Sequence, residues 1–242
     1  TGASRGIGLA TVKAFSDAGA RVAAVTRRAS GELRAWSRAR DVLVVEADAA
    51  TAAGAAQAAA AAAERFGTVD ILVNNIGALD PRRGCGFAAI SDDEWFRMME
   101  INFMSVVRST RAALPYLVRQ GGCIINISST LAVMPAWALM ANSAMKAAVA
   151  NLSRSLAEEL AARKVRVNTI SPGPTRTAMW EGILPEDPEQ AIRFARDLGI
   201  PLGRFAEPGE VAALAVFLAS DQAAMITGRD YVLDGGMVKA VR

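Results

Sequence analysis

The sequence has no histidine, and only two cysteines and two tyrosines among its 242 residues. Without histidine there are no imidazole metal ligands, and every Ser-His or Cys-His nucleophile pair is excluded. Cys85 and Cys123 lie far apart without metal-ligand spacing, so neither a disulfide framework nor a metal site is expected, and a reducing cytoplasm fits. Lys and Arg exceed Asp and Glu by only 27 to 24 and are scattered, which leaves little basis for nucleic-acid binding. No secretory signal opens the chain and no run of about 18 apolar residues occurs, so a soluble protein with no membrane partner is expected.

What is present is 52% hydrophobic and 21% charged, the balance of a folded chain rather than a disordered one. Short apolar runs alternate with longer amphipathic ones, the pattern of βαβ units. "RVAAVT", "DVLVVEA", "DILVNN", "GCIINISS", "VRVNTISPG" and "DYVLDGG" read as buried strands. Helices are expected at Ile7 to Ala18, Ala50 to Phe66, Ser91 to Val118, Ala141 to Ala162 and Pro208 to Ala219. The predicted fold is α/β, a Rossmann-type doubly wound parallel sheet forming one domain over residues 1–242. The connection Thr177 to Phe205 looks irregular and carries Met179, Trp180, Ile183 and Leu184. It reads equally as a flap over an apolar ligand or as a surface excursion.

"TGASRGIGLA" places Gly2, Gly6 and Gly8 at the entrance to a helix, with Ser4, Arg5 and Ile7 between and beside them. Glycines there permit a tight turn and let backbone N–H groups approach a pyrophosphate at the helix's positive end. Arg27 and Arg28 follow "RVAAVT" where an acidic residue would meet a ribose lacking the 2′-phosphate. Guanidinium groups suit that phosphate, so NADP(H) is the expected cofactor; a solvated basic turn is the alternative.

"TGASRGIG", "NNIG" at Asn74 to Gly77, Asn102 in "MEINFMS", "INISS", "SPGPTRT" and the ending "PLGRFAEPGEVAALAVFLASDQAAMITGRDYVLDGG" occur in one order along the chain. That order resembles the short-chain dehydrogenases/reductases, in the branch typified by β-ketoacyl-carrier-protein reductases. The resemblance implies Asp48 against the adenine, Asn75 and Gly77 beside the cofactor, and Pro172 and Gly173 facing the nicotinamide. It also implies Thr175 and Thr177 near the carboxamide or pyrophosphate. The family's apolar first strand would precede Thr1; because its loss would leave neighbouring strand edges unpaired, the sequence reads as a fragment, or as one whose numbering begins after further residues.

The family's catalytic group is an Asn, a Ser, and a Tyr four residues before a Lys. By resemblance Asn102, Ser129 and Lys146 take three of these places, with Lys146 also holding the ribose. The tyrosine position is Asn142. Residues 142 and 146 share a helix face, so Asn142 is expected in the cleft beside Lys146. An amide donates a hydrogen bond but does not titrate, and losing a positioned acid costs ~10²–10⁴ in rate. The resemblance thus implies an NADP(H)-dependent oxidoreductase interconverting carbonyl and alcohol, with an altered proton donor. A redox-weak cofactor-binding protein and non-redox dehydration or cyclisation in the same cleft are the alternatives. "TLAVMPAWALM" and the flap, rich in Met, Trp and Leu, suggest a bulky apolar small-molecule substrate, with packing in the core or at a subunit interface as the alternative, and the family habit implies a homotetramer.

Overall fold

The computed structural model describes residues 1–80 and 82–239. The glycine loop leads into α1 (Gly6–Asp17), and β1 (Val22–Thr26) follows. Next come α2 (Gly31–Ala39), β2 (Val42–Glu46), α3 (Ala52–Phe66) and β3 (Ile71–Asn74). The chain continues through α4 (Asp92–Met99), α5 (Ser105–Leu117), β4 (Gly122–Ile127), α6 (Met140–Leu160) and β5 (Val165–Pro172). It closes with α7 (Pro188–Asp197), α8 (Pro208–Ala219) and β6 (Asp230–Leu233).

All strand pairs are parallel, and they form two sheets: β1 with β2, and β3-β4-β5-β6 in that order. Helices cover both faces because side chains alternate along each strand. Cys123, Ile125 and Ile127 of β4 pack with Phe15 of α1 and Val211, Ala215 and Leu218 of α8. Ile124 faces the other way, against Ala113 and Leu117 of α5 and Ala157 and Leu160 of α6. The doubly wound architecture is as expected.

Between β1 and β3 is a cavity of about 400 Å³, lined among others by Val22, Ala24, Ala58, Ile71, Val73 and Ser109. Residues 1–3 bridge its upper end. The Thr1 nitrogen donates to the Val73 carbonyl at 2.9 Å and the Ala3 N–H to the Val25 carbonyl at 3.1 Å.

Three local expectations are corrected. The single helix expected from Ser91 to Val118 is interrupted by a π-helical turn, Glu100–Met104, between α4 and α5. Helix α2, which the sequence reading passed over, is capped by Ser30, whose hydroxyl accepts from the Leu33 N–H. The connection from Thr177 is not irregular throughout, for α7 sits inside it. Asp187 caps α7 and Pro188 opens it, where a missing N–H costs nothing. Trp180 and Leu184 turn inward onto Ala195, Ile200 and Phe205, whereas Met179 and Ile183 remain exposed. Trp180 meets Phe205 edge-on, with ring centroids 4.8 Å apart.

Candidate functional site

Parallel strands deliver their C-terminal ends to one edge, where open α/β sheets bind ligands. β3 ends at Asn74 beside Asn75, β4 at Ile127 beside Ser129, and β5 at Pro172 beside Gly173. The first element at this edge is the glycine loop. Gly2 and Gly6 have φ of 66° and 55°, in the left-handed region. A Cβ on Gly8 would lie 2.2 Å from the Gly2 carbonyl oxygen, so α1 can lie on its own loop only with glycine there. Asn75 braces this turn: its Nδ2 donates to the Thr1 carbonyl at 3.0 Å, and its N–H donates to the Thr1 hydroxyl at 3.0 Å.

The N-terminus of α1 has no side-chain cap and no acidic residue in its first turn. Its orphan N–H groups and positive dipole end therefore face outward beside Gly6 and Ile7. Thr177 packs across this opening, its Cγ2 3.2 Å from where a Gly6 Cβ would stand. The Ser4 carbonyl accepts from the Ser30 hydroxyl at 2.7 Å, tying the loop to the start of α2. Arg5, Arg27 and Arg28 are exposed, and among the described residues none of the three pairs with a carboxylate. Asp48 follows β2, and its Oδ1 accepts from the Ala50 N–H at 3.1 Å.

Lys146, Asn102 and Gly77 meet at the second part of the edge. Lys146 is only 7% exposed, and its Nζ donates to the Ile127 carbonyl at 2.9 Å. Burial lowers its pKa to about 8, and among the described residues no carboxylate opposes the shift. A Cβ on Gly77 would lie 3.3 Å from Lys146 Nζ and 3.2 Å from Asn102 Oδ1. The π-helical turn aims Asn102 at this loop: its Oδ1 accepts from the Ala78 N–H at 2.9 Å, and its Nδ2 donates to the Met98 carbonyl at 3.1 Å. Ser129 starts the turn after β4, and its hydroxyl accepts from the Leu131 N–H at 3.2 Å. Gly173 closes against Asp234, and Thr175 donates to the Gly173 carbonyl at 3.0 Å.

Asn142 lies on α6 one turn before Lys146, with one of its two amide N–H donors committed. Its Nδ2 donates to the Ala78 carbonyl at 2.6 Å. The Ala78 peptide is thus clamped on both sides, by Asn102 and by Asn142. Neither tyrosine substitutes. Tyr231 packs with the core beneath α1 and α8, and Tyr116 carries Arg119 over its ring on α5.

The sequence reading missed two features. Asp80 is buried, and its Oδ2 accepts from the Asn142 backbone N–H at 3.4 Å. Its carboxyl is raised above the usual range, mainly by burial, against lowering by that N–H and by Arg83. The signal was a lone acid immediately after "NNIGAL". A buried amide chain also runs behind the site, from Asn74 Nδ2 to Asn126 Oδ1 at 2.8 Å and from Asn126 Nδ2 to Ser153 at 2.8 Å.

Comparison with known proteins shows the family. The family model described as Enoyl-(Acyl carrier protein) reductase matches residues 2–238. The 2,5-dichloro-2,5-cyclohexadiene-1,4-diol dehydrogenase LinX of Sphingobium indicum is 36% identical, over 98% of this chain and 93% of its own length. The 3-oxoacyl-[acyl-carrier-protein] reductase FabG of Thermotoga maritima is 32% identical, over 98% and 96%. Among solved structures, an NADPH-bound short-chain oxidoreductase of Pseudomonas aeruginosa with an atypical catalytic center superposes with a TM-score of 0.90. It is 35% identical, covering 99% of this chain and 95% of that one. Glycine loop, Asn102, Ser129 and Lys146 stand at one sheet edge in a chain matched almost end to end, and the protein belongs to the short-chain dehydrogenase/reductase family of oxidoreductases.

Proposed function

We propose that this protein is an NADP(H)-dependent oxidoreductase that interconverts a carbonyl and an alcohol on a small apolar substrate. The observation that carries this reading is the cradle at the sheet edge. It joins an uncapped helix N-terminus flanked by Arg5, Arg27 and Arg28 to a buried Lys146 that pairs with no carboxylate among the described residues. A dinucleotide fits these residues. Gly6, Ile7 and Gly8 would meet its pyrophosphate, Arg27 and Arg28 the 2′-phosphate, and Asp48 the adenine. Lys146 keeps donors free for a ribose hydroxyl pair, and Ser129 stands where a carbonyl oxygen would be polarised. The bound nicotinamide would supply or accept hydride. Exposed Trp137, Met179 and Ile183 offer apolar surface to a substrate entering under the 177–205 flap.

The short-chain oxidoreductase of Pseudomonas aeruginosa named above supports the cofactor choice, since it was solved with NADPH and with an atypical catalytic center. The commitment of Asn142 to Ala78 favours a second reading, a cofactor-binding protein of low turnover. Anaerobic rapid mixing with NADPH or NADH and a panel of apolar ketones and their alcohols separates the two. NADPH binding followed by substrate-dependent oxidation is expected. Tight binding without oxidation across the panel would leave the second reading, and absence of binding would reject both. A cytoplasmic homotetramer is part of the proposal, and light scattering that finds only monomer would remove the assembly from it.

A further inference from the structure

The segment after β3 runs along α6 against the helix direction. Gly77 lies beside Lys146, the Ala78 carbonyl takes the Asn142 amide, and the Asp80 carboxyl takes the Asn142 backbone N–H at the helix start. Among the described residues, Asp80 is the titratable side chain that hydrogen-bonds residue 142. The other polar groups nearby are otherwise engaged. Asn142 does not titrate. The Ser143 hydroxyl donates to the Leu139 carbonyl at 2.8 Å and accepts from the Ala136 N–H at 3.4 Å, and no base touches Ser129. Lys146 lies one turn deeper, held by the Ile127 carbonyl.

We propose that Asp80 exchanges the substrate's proton, the task that a tyrosine performs elsewhere in the family. The proposal rests on the oxidoreductase reading above. In the oxidative direction the alcohol O–H bond breaks and its proton passes to the Asp80 carboxylate, while the carbon's C–H pair leaves as hydride to the oxidised nicotinamide dinucleotide. In the reductive direction the Asp80 O–H bond breaks and its proton goes to the oxygen as the carbonyl π pair moves there. The carbon takes hydride from the reduced dinucleotide, and water then reprotonates Asp80. Burial favours the proton-holding form needed for reduction, while the Asn142 N–H steadies the carboxylate needed for oxidation. Arg83, on the same loop, is the charged group whose field acts on it.

Asp80 also caps α6, so the test must separate capping from proton transfer. Asp80→Asn keeps an oxygen to accept from the Asn142 N–H and loses the titration, whereas Asp80→Ala loses both. The expected result is that D80N keeps its NADPH affinity and melting temperature, loses ~10²–10⁴ of turnover, and loses the pH dependence of the native rate. Adding Asn142→Tyr to D80N is expected to restore turnover. Independently of activity, carboxyl ¹³C NMR of the full chain without cofactor should show Asp80 titrating above the ~3.9 of a free aspartate. D80N with native rate and native pH profile would reduce Asp80 to a cap and overturn the proposal, as would an Asp80 carboxyl that titrates at or below the ordinary value. If D80N does not fold, that titration of the native chain decides. A native chain that binds NADPH but oxidises none refutes the oxidoreductase reading and the proton role together, while hydride transfer indifferent to D80N refutes the proton role alone.

Discussion

Replacing Asn142 by alanine tests whether this residue serves as a clamp on the 77–80 segment. Asn142 is 3% exposed, and among the described residues its side chain bonds the Ala78 carbonyl, at 2.6 Å. Stranding a buried acceptor costs about 1–3 kcal/mol. Ala78 is half-buried, which brings water closer and favours the lower half of that range. Alanine returns up to ~0.7 kcal/mol of helix propensity. The net loss is about 0.3–2 kcal/mol, a fall in Tm of roughly 1–8 °C for a chain of this size. Calorimetry at neutral pH reads it directly, and an unchanged or higher Tm would refute the clamp. Asn142→Asp sharpens the result, because it keeps the volume but sets an acceptor against an acceptor. Only its protonated form can donate to Ala78, so the folded-state pKa is raised and the native state binds more protons than the unfolded one. Its penalty should be absent below the ~3.9 of an unfolded carboxyl and grow as the pH rises through the folded value.

Arg27→Ala or Arg28→Ala is expected to raise the Kd for NADPH by roughly 10–100-fold, from the ~1.5–3 kcal/mol of a bond to a charged group, and to leave NADH binding unchanged. Fluorescence titration with both dinucleotides checks it, and equal effects on the two would deny the 2′-phosphate contact. Lys146→Met is expected to raise stability at neutral pH. The native lysine, lowered to about 8, binds fewer protons than its unfolded form near 10.5, so native stability climbs between those values and the variant's should not. Denaturant melts at several alkaline pH values would show the rise and its disappearance. Gly8→Ala places a methyl 2.2 Å from the Gly2 oxygen, so a loss of about 1–3 kcal/mol and weaker dinucleotide binding are expected; unchanged melts would mean that the loop yields.

The strands were legible because buried parallel strands are short apolar runs flanked by turn residues, and all six fall where those runs stand. The glycine loop was legible as a turn at a helix start, whereas Asn102, Ser129 and Lys146 came from the family resemblance and not from spacing. The π-helical turn was not legible. It adds one residue to a turn within an unbroken amphipathic stretch, and no glycine or proline marks it. Helix α2 is short and strongly polar on its outer face, so its weak apolar stripe did not separate it from a loop. Residue 142 was read as an amide beside the lysine, which is where it lies. That its donor points to Ala78 depends on a backbone carbonyl 64 residues away, and a one-dimensional pattern carries no such information.

The two-sided hold on the Ala78 peptide gives the sheet edge a mechanical property. Asn102 on the π-helical turn accepts from its N–H and Asn142 on α6 donates to its carbonyl, so the segment after β3 cannot shift without pulling on both helical elements at once. Linkage runs both ways. A ligand that settles the 77–80 segment slows amide exchange at the start of α6, and anything that frays that helix end loosens the segment.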